Sequence, residues 1–418
     1  MSLFAAQILL VVLAAPVVAQ EGGRADSLAA ADSAAVVDLS GEEYPSLQEA
    51  EAGTHVLARP WYQNVEVSGF GAFWFVKSGR DGTRPEAGFV IKESSLFVEA
   101  EAWEDVALFF EIQTNVLQRD HNTSVRTGEV YAHFRNVLER WGDGLLGIKA
   151  GRVDIPFGEE YLWQDAPDNV LISNSAAYPW LWDEGLVLYG KLRGVGWITA
   201  VMDGTIARSQ EDDAEKAVVA KMHGRPWVPL YLSASFMKNG DTALSALLLG
   251  GSLLQPVGAG GPSSAGVSPS AKIDATLYQT DVQWTLAYGA RLDLFFGRAL
   301  VDDRQDAFDR DLSWFTLQAS CDLGRHLYAA GRYSEIGTYD DDEGYHIGGE
   351  FLAGGNGAFG YDAKRLQRLS AGLGWKINPC AKVKLEVGRD RFEVIETSPF
   401  DPSDDKRAFY GVELAVSF

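Results

Sequence analysis

Cysteine is nearly missing from this chain, and past its first twenty residues so is any long apolar run. Only Cys321 and Cys380 are present in 418 residues, too few for a disulfide scaffold or a four-thiolate metal centre. No run beyond residue 20 reaches the roughly 18 consecutive apolar residues that a membrane-crossing helix requires. Positive charge is also in short supply: 36 Lys and Arg face 58 Asp and Glu, for a net charge of −22. Nucleic-acid binding, which needs a basic footprint, is excluded on that ground. The six histidines (His55, His121, His133, His223, His326, His346) are scattered, with no two at ligand spacing, so neither a metal nor any other cofactor is expected. Neither His133 nor His326 has a nearby Ser with an orienting acid, and no catalytic role is expected.

What is present divides the chain in three. Residues 1–19 carry an apolar run from Ile8 to Ala15 and the small-residue pattern Val17-Val18-Ala19, and read as a signal peptide cleaved before Gln20, although no Lys or Arg precedes the run. Residues 20–60, rich in Ala, Asp, Glu, Ser and Gly, show no sustained period and read as a flexible periplasmic lead-in. From residue 61 to Phe418 the pattern is period-2 alternation. Val106, Leu108, Phe110 and Ile112 alternate with Ala107, Phe109, Glu111 and Gln113, and Val383, Leu385 and Val387 with Lys382, Lys384 and Glu386.

Segments of about ten residues separated in turn by short turns and long polar loops are the mark of a transmembrane barrel. Counting back from the C-terminus gives strands at 408–418, 381–394, 366–377, 326–336, 312–321, 290–299, 274–286 and 230–237. Eight more follow at 215–223, 196–203, 183–191, 145–152, 128–138, 104–117, 89–101 and 62–76. The fold class expected is all-β: a single antiparallel barrel of 16 strands, or 18 if the apolar residues 243–254 add two. The even count puts both termini in the periplasm, with short turns there and long loops outside. The final run, with Tyr410, Val412, Leu414, Val416 and Phe418 on one face, suits a closing strand. Cys321 and Cys380 fall on neighbouring turns about 10 Å apart, beyond the ~7 Å that a disulfide tolerates, so free thiols are expected.

The polar faces carry a divided set of charges. Glu93, Glu99, Glu101 and Glu111 would form an acidic wall, and Arg291, Arg332, Arg368, Lys376, Lys382 and Lys384 a basic one. The alternative is that these charges simply face water. Residues 153–182 join two strands and hold Tyr161, Trp163, Tyr178, Trp180 and Trp182, too much apolar area for a loop floating in solvent. They read either as a strand end turning outward or as a loop folded into the lumen, with Arg152, Asp154, Pro156, Phe157, Gly158, Tyr161 and Trp163 at its constriction. The acidic runs at 302–303, 340–343 and 404–405 read as solvated loop tips, divalent-ion bridging to lipopolysaccharide being the other option.

The stretch GIKAGRVDIPFGEEYLWQDAPDNVLISNSAAYPWLWDEGLVLYG, from Gly147 to Gly190, resembles the phosphate-selective porins O and P of Gram-negative outer membranes. The matching residues are Lys149, Gly151 and Arg152, then Pro156-Phe157-Gly158, then Asp183 and Gly185. Weaker likeness lies in Asp203-Gly204 and in Asn378-Pro379 before Lys382-Val383-Lys384-Leu385. The resemblance implies a sixteen-stranded, usually trimeric, anion-selective porin in the cell outer membrane. The excess of acid departs from it, since a phosphate path needs an array of bases. The expectation is a channel for passive diffusion of small inorganic ions or solutes, weakly anion-preferring, seated among outer-membrane lipid and lipopolysaccharide. A specific phosphate or oligoanion channel and a non-conducting structural or adhesive barrel are the alternatives.

Overall fold

The computed structural model describes residues 64–78, 86–117, 122–142, 144–176, 182–204, 216–243, 272–303, 310–338, 345–347, 361–394 and 406–418. The leader, the lead-in, Tyr178, Trp180 and the acidic runs at 340–343 and 404–405 lie outside the described residues. Among those described there is no α-helix; apart from brief 3-10 turns, connecting turns and the irregular segment 155–176, the structure is strand.

Alternating apolar and polar side chains build seventeen strands in one antiparallel sheet. They are β1 (Val65–Ser78), β2 (Gly88–Trp103), β3 (Val106–Leu117), β4 (Asn122–Phe134), β5 (Gly147–Asp154), β6 (Trp182–Leu192), β7 (Val195–Met202), β8 (Ala217–Trp227) and β9 (Leu230–Ala243). After these come β10 (Lys272–Thr285), β11 (Arg291–Asp303), β12 (Arg310–Asp322), β13 (Leu327–Thr338), β14 (Tyr345–Ile347), β15 (Tyr361–Asn378), β16 (Ala381–Val394) and β17 (Lys406–Ser417). Each long strand pairs with its chain neighbours, β13 pairs with β15, and β1 pairs with both β2 and β17. The result is a closed barrel of sixteen strands, with the three-residue β14 attached only to the end of β15. The seam closes where Gly69 and Phe418 exchange backbone hydrogen bonds of 3.1 and 3.0 Å.

The expected count of sixteen therefore stands; of the stretch proposed for two more strands, 244–254 lies outside the described residues. Several boundaries move. β4 covers Asn122–Phe134 instead of 128–138, because Asn136 takes a left-handed φ of 47° and Glu139–Trp141 form a 3-10 turn, so the chain leaves the sheet early. β9 runs on to Ala243, and β15 starts at Tyr361, where cross-strand partners continue to be available. Cys321 ends up inside β12 and Cys380 in the turn after β15, and both are free thiols.

The two faces of the barrel differ in kind. Outward side chains include Leu108, Phe110, Leu186, Val201, Leu232, Leu373, Leu385 and Val412, all exposed. At the short-turn end this apolar surface is bordered by exposed rings: Trp103, Trp141, Trp227, Trp284, Trp375 and Phe418. Toward the opposite end lie the outward pairs Phe75–Phe89 and Phe236–Tyr278, with centroids 4.9 and 5.4 Å apart, and then the ion pair Lys238–Asp274 at 3.1 Å. Trp284 and Asp274 both lie on the outward face of β10. Over that separation, a rise of ~3.3 Å per residue and a tilt of ~40° give a band about 25 Å tall.

Inside, five glycines sit directly opposite an aromatic ring on the next strand: Gly147–Tyr189, Gly196–His223, Gly297–Trp314, Gly374–Tyr328 and Gly388–Phe409. Each ring lies over its glycine so closely that a Cβ there would approach ring atoms to 2.0–2.3 Å. Part of the sequence's glycine thus makes room for aromatic side chains lying flat on the inner wall. Gly297→Val should push Trp314 off its site and lower stability by roughly 1–3 kcal/mol. Urea titration of the folded barrel in lipid would read this, and an unchanged midpoint would refute it.

Candidate pore-lining site

The inner wall is formed by the residues that alternate with the outward apolar ones. Segment 155–176, between β5 and β6, lies against it. Its sequence holds four acids (Glu159, Glu160, Asp165, Asp168) and no base, while the wall it meets is rich in bases.

At the start of the segment Pro156 and Gly158 are buried and Phe157 packs against Trp314, ring centroids 6.5 Å apart. Gly158 has a φ of +70°, and a Cβ there would come within 2.4 Å of the Gln279 amide. Its N–H donates to Ser235 Oγ at 3.1 Å, and its carbonyl accepts from Lys221 Nζ at 3.0 Å. Lys221 also pairs with Glu159 at 3.0 Å, and Tyr231 donates its hydroxyl to the same carboxylate at 2.7 Å. Tyr161 presents its ring to Lys221, and the ring of Trp163 lies between Phe295, at 5.3 Å, and the guanidinium of Arg291, at 4.7 Å.

The second half of the segment is held by strands β13 to β17 and β1. Lys384 Nζ donates to the carbonyls of Ala166, Asn169 and Leu171 at 2.9, 3.0 and 2.9 Å, and Lys382 to that of Pro167. Glu386 accepts from Ile172 N (2.5 Å), Ser173 N (2.8 Å) and Ser173 Oγ (2.5 Å). Arg332 donates to Ser173 O at 2.6 Å, to Asn169 Oδ1 at 2.9 Å and to Gln318; Arg368 donates to Asn174 O at 3.0 Å. Ile172 packs among Trp74, Val76 and Phe409, Leu171 against Tyr328 and Ala330, and Ala166 against Phe70, Ala72 and Ala415.

The ten wall residues singled out from sequence separate into groups. Arg332, Arg368 and Lys384 are buried beneath the segment, with half-buried Lys382 on Pro167 beside them; Arg368 is paired with Asp390 and Lys384 with Glu413. Arg291 is half-buried and bonded to Asp293, whereas Lys376 sits at the turn-side rim, paired with Asp322 at 2.9 Å. On the acidic side Glu111 is buried and accepts from Ser95 Oγ at 2.9 Å, and Glu93 lies 3.5 Å from Lys92. Glu99 and Glu101 remain partly exposed and share Arg135. Arg152 is not part of the segment's packing: it pairs with Glu184 at 3.0 Å over the ring of Trp182, and Asp154 donates its backbone N–H to Glu129 at 2.9 Å.

Residues that sequence reasoning missed are the partners: Glu159, Lys221, Tyr231, Glu386, Asp390 and Glu413. A signal for them existed, since each wall residue sits on the polar parity of its strand, but parity does not tell which strands face one another across a barrel. Two more of the motif glycines of the resemblance, besides Gly158, have local roles. Gly151 (φ 140°) and Gly185 have no room for a Cβ against the neighbouring backbone, and the buried Asp183 carboxylate accepts from Gly204 N at 2.7 Å, tying down the exit of β7.

This geometry defines the class: a closed sixteen-stranded barrel of the kind found in outer-membrane porins and channels. Among solved structures, the outer membrane channel DcaP of Acinetobacter baumannii is similar at 11% identity, over 85% of this chain and 97% of that one, with a TM-score of 0.55. The anion-selective porin from Comamonas acidovorans matches at 9% identity over 85% and 99% of the chains, TM-score 0.54. OmpT of Vibrio cholerae, an outer membrane protein seen in a trimer form, matches at 10% identity over 85% and 99%, TM-score 0.54. At such identity the likeness is one of fold. No protein-family model matches the sequence, and no curated protein does.

Proposed function

We propose that the chain is a porin of the Gram-negative outer membrane, a water-filled channel for passive diffusion of small ions and solutes, narrowed by segment 155–176 and without catalytic activity. The observation that carries this reading is the contrast between the faces: an apolar band about 25 Å tall outside, and a polar, hydrogen-bonded wall inside. Sixteen strands enclose more space than wall side chains alone fill. The segment narrows that space, since its partners are inner-face residues of strands most of the way around the barrel. The narrow passage then runs past Glu99, Glu101 and Arg135, with Tyr161 and Trp163 anchoring the segment away from it. A homotrimer in outer-membrane lipid and lipopolysaccharide is the assembly this reading favours, in line with the trimer form of one similar structure.

The anion preference implied by the family resemblance needs bases facing the solute, and a tight phosphate site needs several together. Among the described residues the six wall bases are instead engaged by carboxylates, carbonyls or rings. Neither finer reading is adopted.

Liposomes loaded with an impermeant polymer and carrying the purified chain should swell in isotonic small sugars. Failure of folded protein to admit any solute would favour the non-conducting barrel instead. The membrane assignment has its own test. Val387 is outward and exposed, four residues further from the short turns than Val383, the partner of the rim residue Trp375. A rise of ~3.3 Å per residue and a tilt of ~40° put it about 10 Å into the band. Val387→Arg should cost roughly 2–4 kcal/mol of stability in lipid, read as a loss of the heat-modifiable folded form. An unaffected variant would show that this face does not meet hydrocarbon.

A further inference from the structure

We propose that the passage selects for small cations, drawn along a strip of carboxylates and aromatic rings on the inner faces of β2 to β6. The inference rests on the channel reading above and reverses the selectivity that the resemblance implies.

Charge accounting on the inner wall comes first. Among the described residues of β8 to β17, four inner-wall bases are paired with carboxylates: Lys221 with Glu159, Arg291 with Asp293, Arg368 with Asp390 and Lys384 with Glu413. Arg332 and Lys382 spend their donors on segment carbonyls and amide oxygens. The segment covers these groups and adds acid of its own. Glu159 and Glu160 are engaged, by Lys221 and by Ser175 at 2.7 Å, but Asp168 is exposed, and Asp165 lies within electrostatic reach of Glu93 and Glu111. Of the two aspartates, Asp168 is the one that offers an exposed carboxylate to the passage.

The strip that the segment's polar anchors leave uncovered is acidic and aromatic. Rings run across it without a break: Phe97–Phe109 at 5.9 Å, Phe109–Tyr131 at 5.0 Å, Tyr131–His133 at 6.2 Å and His133–Tyr189 at 5.8 Å. Phe97 packs against the cluster that holds Ala166, and Phe109 and Tyr189 against the one that holds Ile155 and Phe157; all three rings stay half-buried, so part of each ring remains exposed. The negative quadrupole of such surface attracts cations, as it already does for Lys149, 4.6 Å from the centre of Tyr131. Beside the rings stand Glu99 and Glu101, which share the guanidinium of Arg135, all three partly exposed, while another base of the strip, Lys149, is buried against Tyr131. In a narrowed lumen these groups lie within a Debye length of about 8 Å from a passing ion, so they act with little screening. Fixed charges of one sign at the lining set selectivity.

The experiment is the reversal potential of the full-length folded chain in a planar bilayer under a potassium chloride gradient. The expected result is potassium carrying most of the current. Glu99→Gln with Glu101→Gln, which leaves Arg135 without counter-charge, should lower the potassium-to-chloride permeability ratio by roughly threefold or more. Heat-modifiable migration on a gel checks that the variant is folded, and should the double variant fail to fold, Asp168→Asn on the exposed segment carries the same sign of shift. Current carried mainly by chloride, or a ratio unmoved in folded variants, overturns the inference while leaving the channel intact. No current at all from folded protein overturns the channel reading itself.

Discussion

A chain lacking residues 164–175 should pass several-fold more current per channel than the full chain and still migrate as a folded barrel. The deleted stretch contains the carbonyls held by Lys384, Lys382 and Arg332, and the apolar anchors Leu171 and Ile172. None of it pairs with a strand, so every ladder of the sheet survives, from the β1–β17 seam round to β16–β17. Arg368–Asp390 and Lys384–Glu413 remain as wall-to-wall ion pairs, which keeps those buried charges compensated. Water then fills the vacated volume. The deletion also removes the exposed Asp168 and uncovers Arg332, so the ion preference should move toward chloride as conductance rises. Single-channel recording decides the matter: an unchanged step size in a folded deletion would place the segment outside the conducting path.

The second large effect is expected from one side chain. Glu386 accepts hydrogen bonds from both Ile172 N and Ser173 N, and from the Ser173 hydroxyl as well. Glu386→Ala strands two buried N–H donors, a cost of roughly 2–6 kcal/mol at 1–3 kcal/mol each. That cost falls on the segment's attachment and not on strand pairing, since Glu386 is opposite Gly372 and Gly411 and supports no neighbouring side chain in register. The expected outcome is frequent fluctuation between conductance levels and rapid protease cleavage within 164–176, with the barrel's melting little changed. Glu386→Gln keeps one acceptor oxygen and should show a milder form of both. A quiet channel with a protease-resistant segment in the alanine variant would mean that Lys384 and Arg332 suffice alone.

Much of the barrel was readable from alternation, because a strand with one face toward water or protein and one toward an apolar phase must repeat every second residue. β16 is an instance: Lys382, Lys384 and Glu386 against Val383, Leu385 and Val387 fixed its faces and its bounds, 381–394. β4 was misjudged by several residues at each end, because polar Asn122–Thr127 look like loop, and only pairing with β3 makes them strand. The Gly–ring pairs were hidden for the same reason: Gly297 and Trp314 are far apart in sequence until register sets them opposite. The lining residues could be assigned to a polar face but not to partners. Lys384 reads as a pore charge in isolation; the carboxylate of Glu413 and three segment carbonyls turn it into a fastening. Trp163 and Tyr161 were legible as packing residues by their size, whereas the rings they share with Arg291 and Lys221 were not.

The most direct test of the account is the conductance of the purified, folded, full-length chain in a planar lipid bilayer. The account predicts discrete, uniform steps, each smaller than the steps of the chain lacking residues 164–175, as a water-filled barrel with an occupied interior requires. A bilayer that stays silent with demonstrably inserted and folded protein, for both chains, would contradict it.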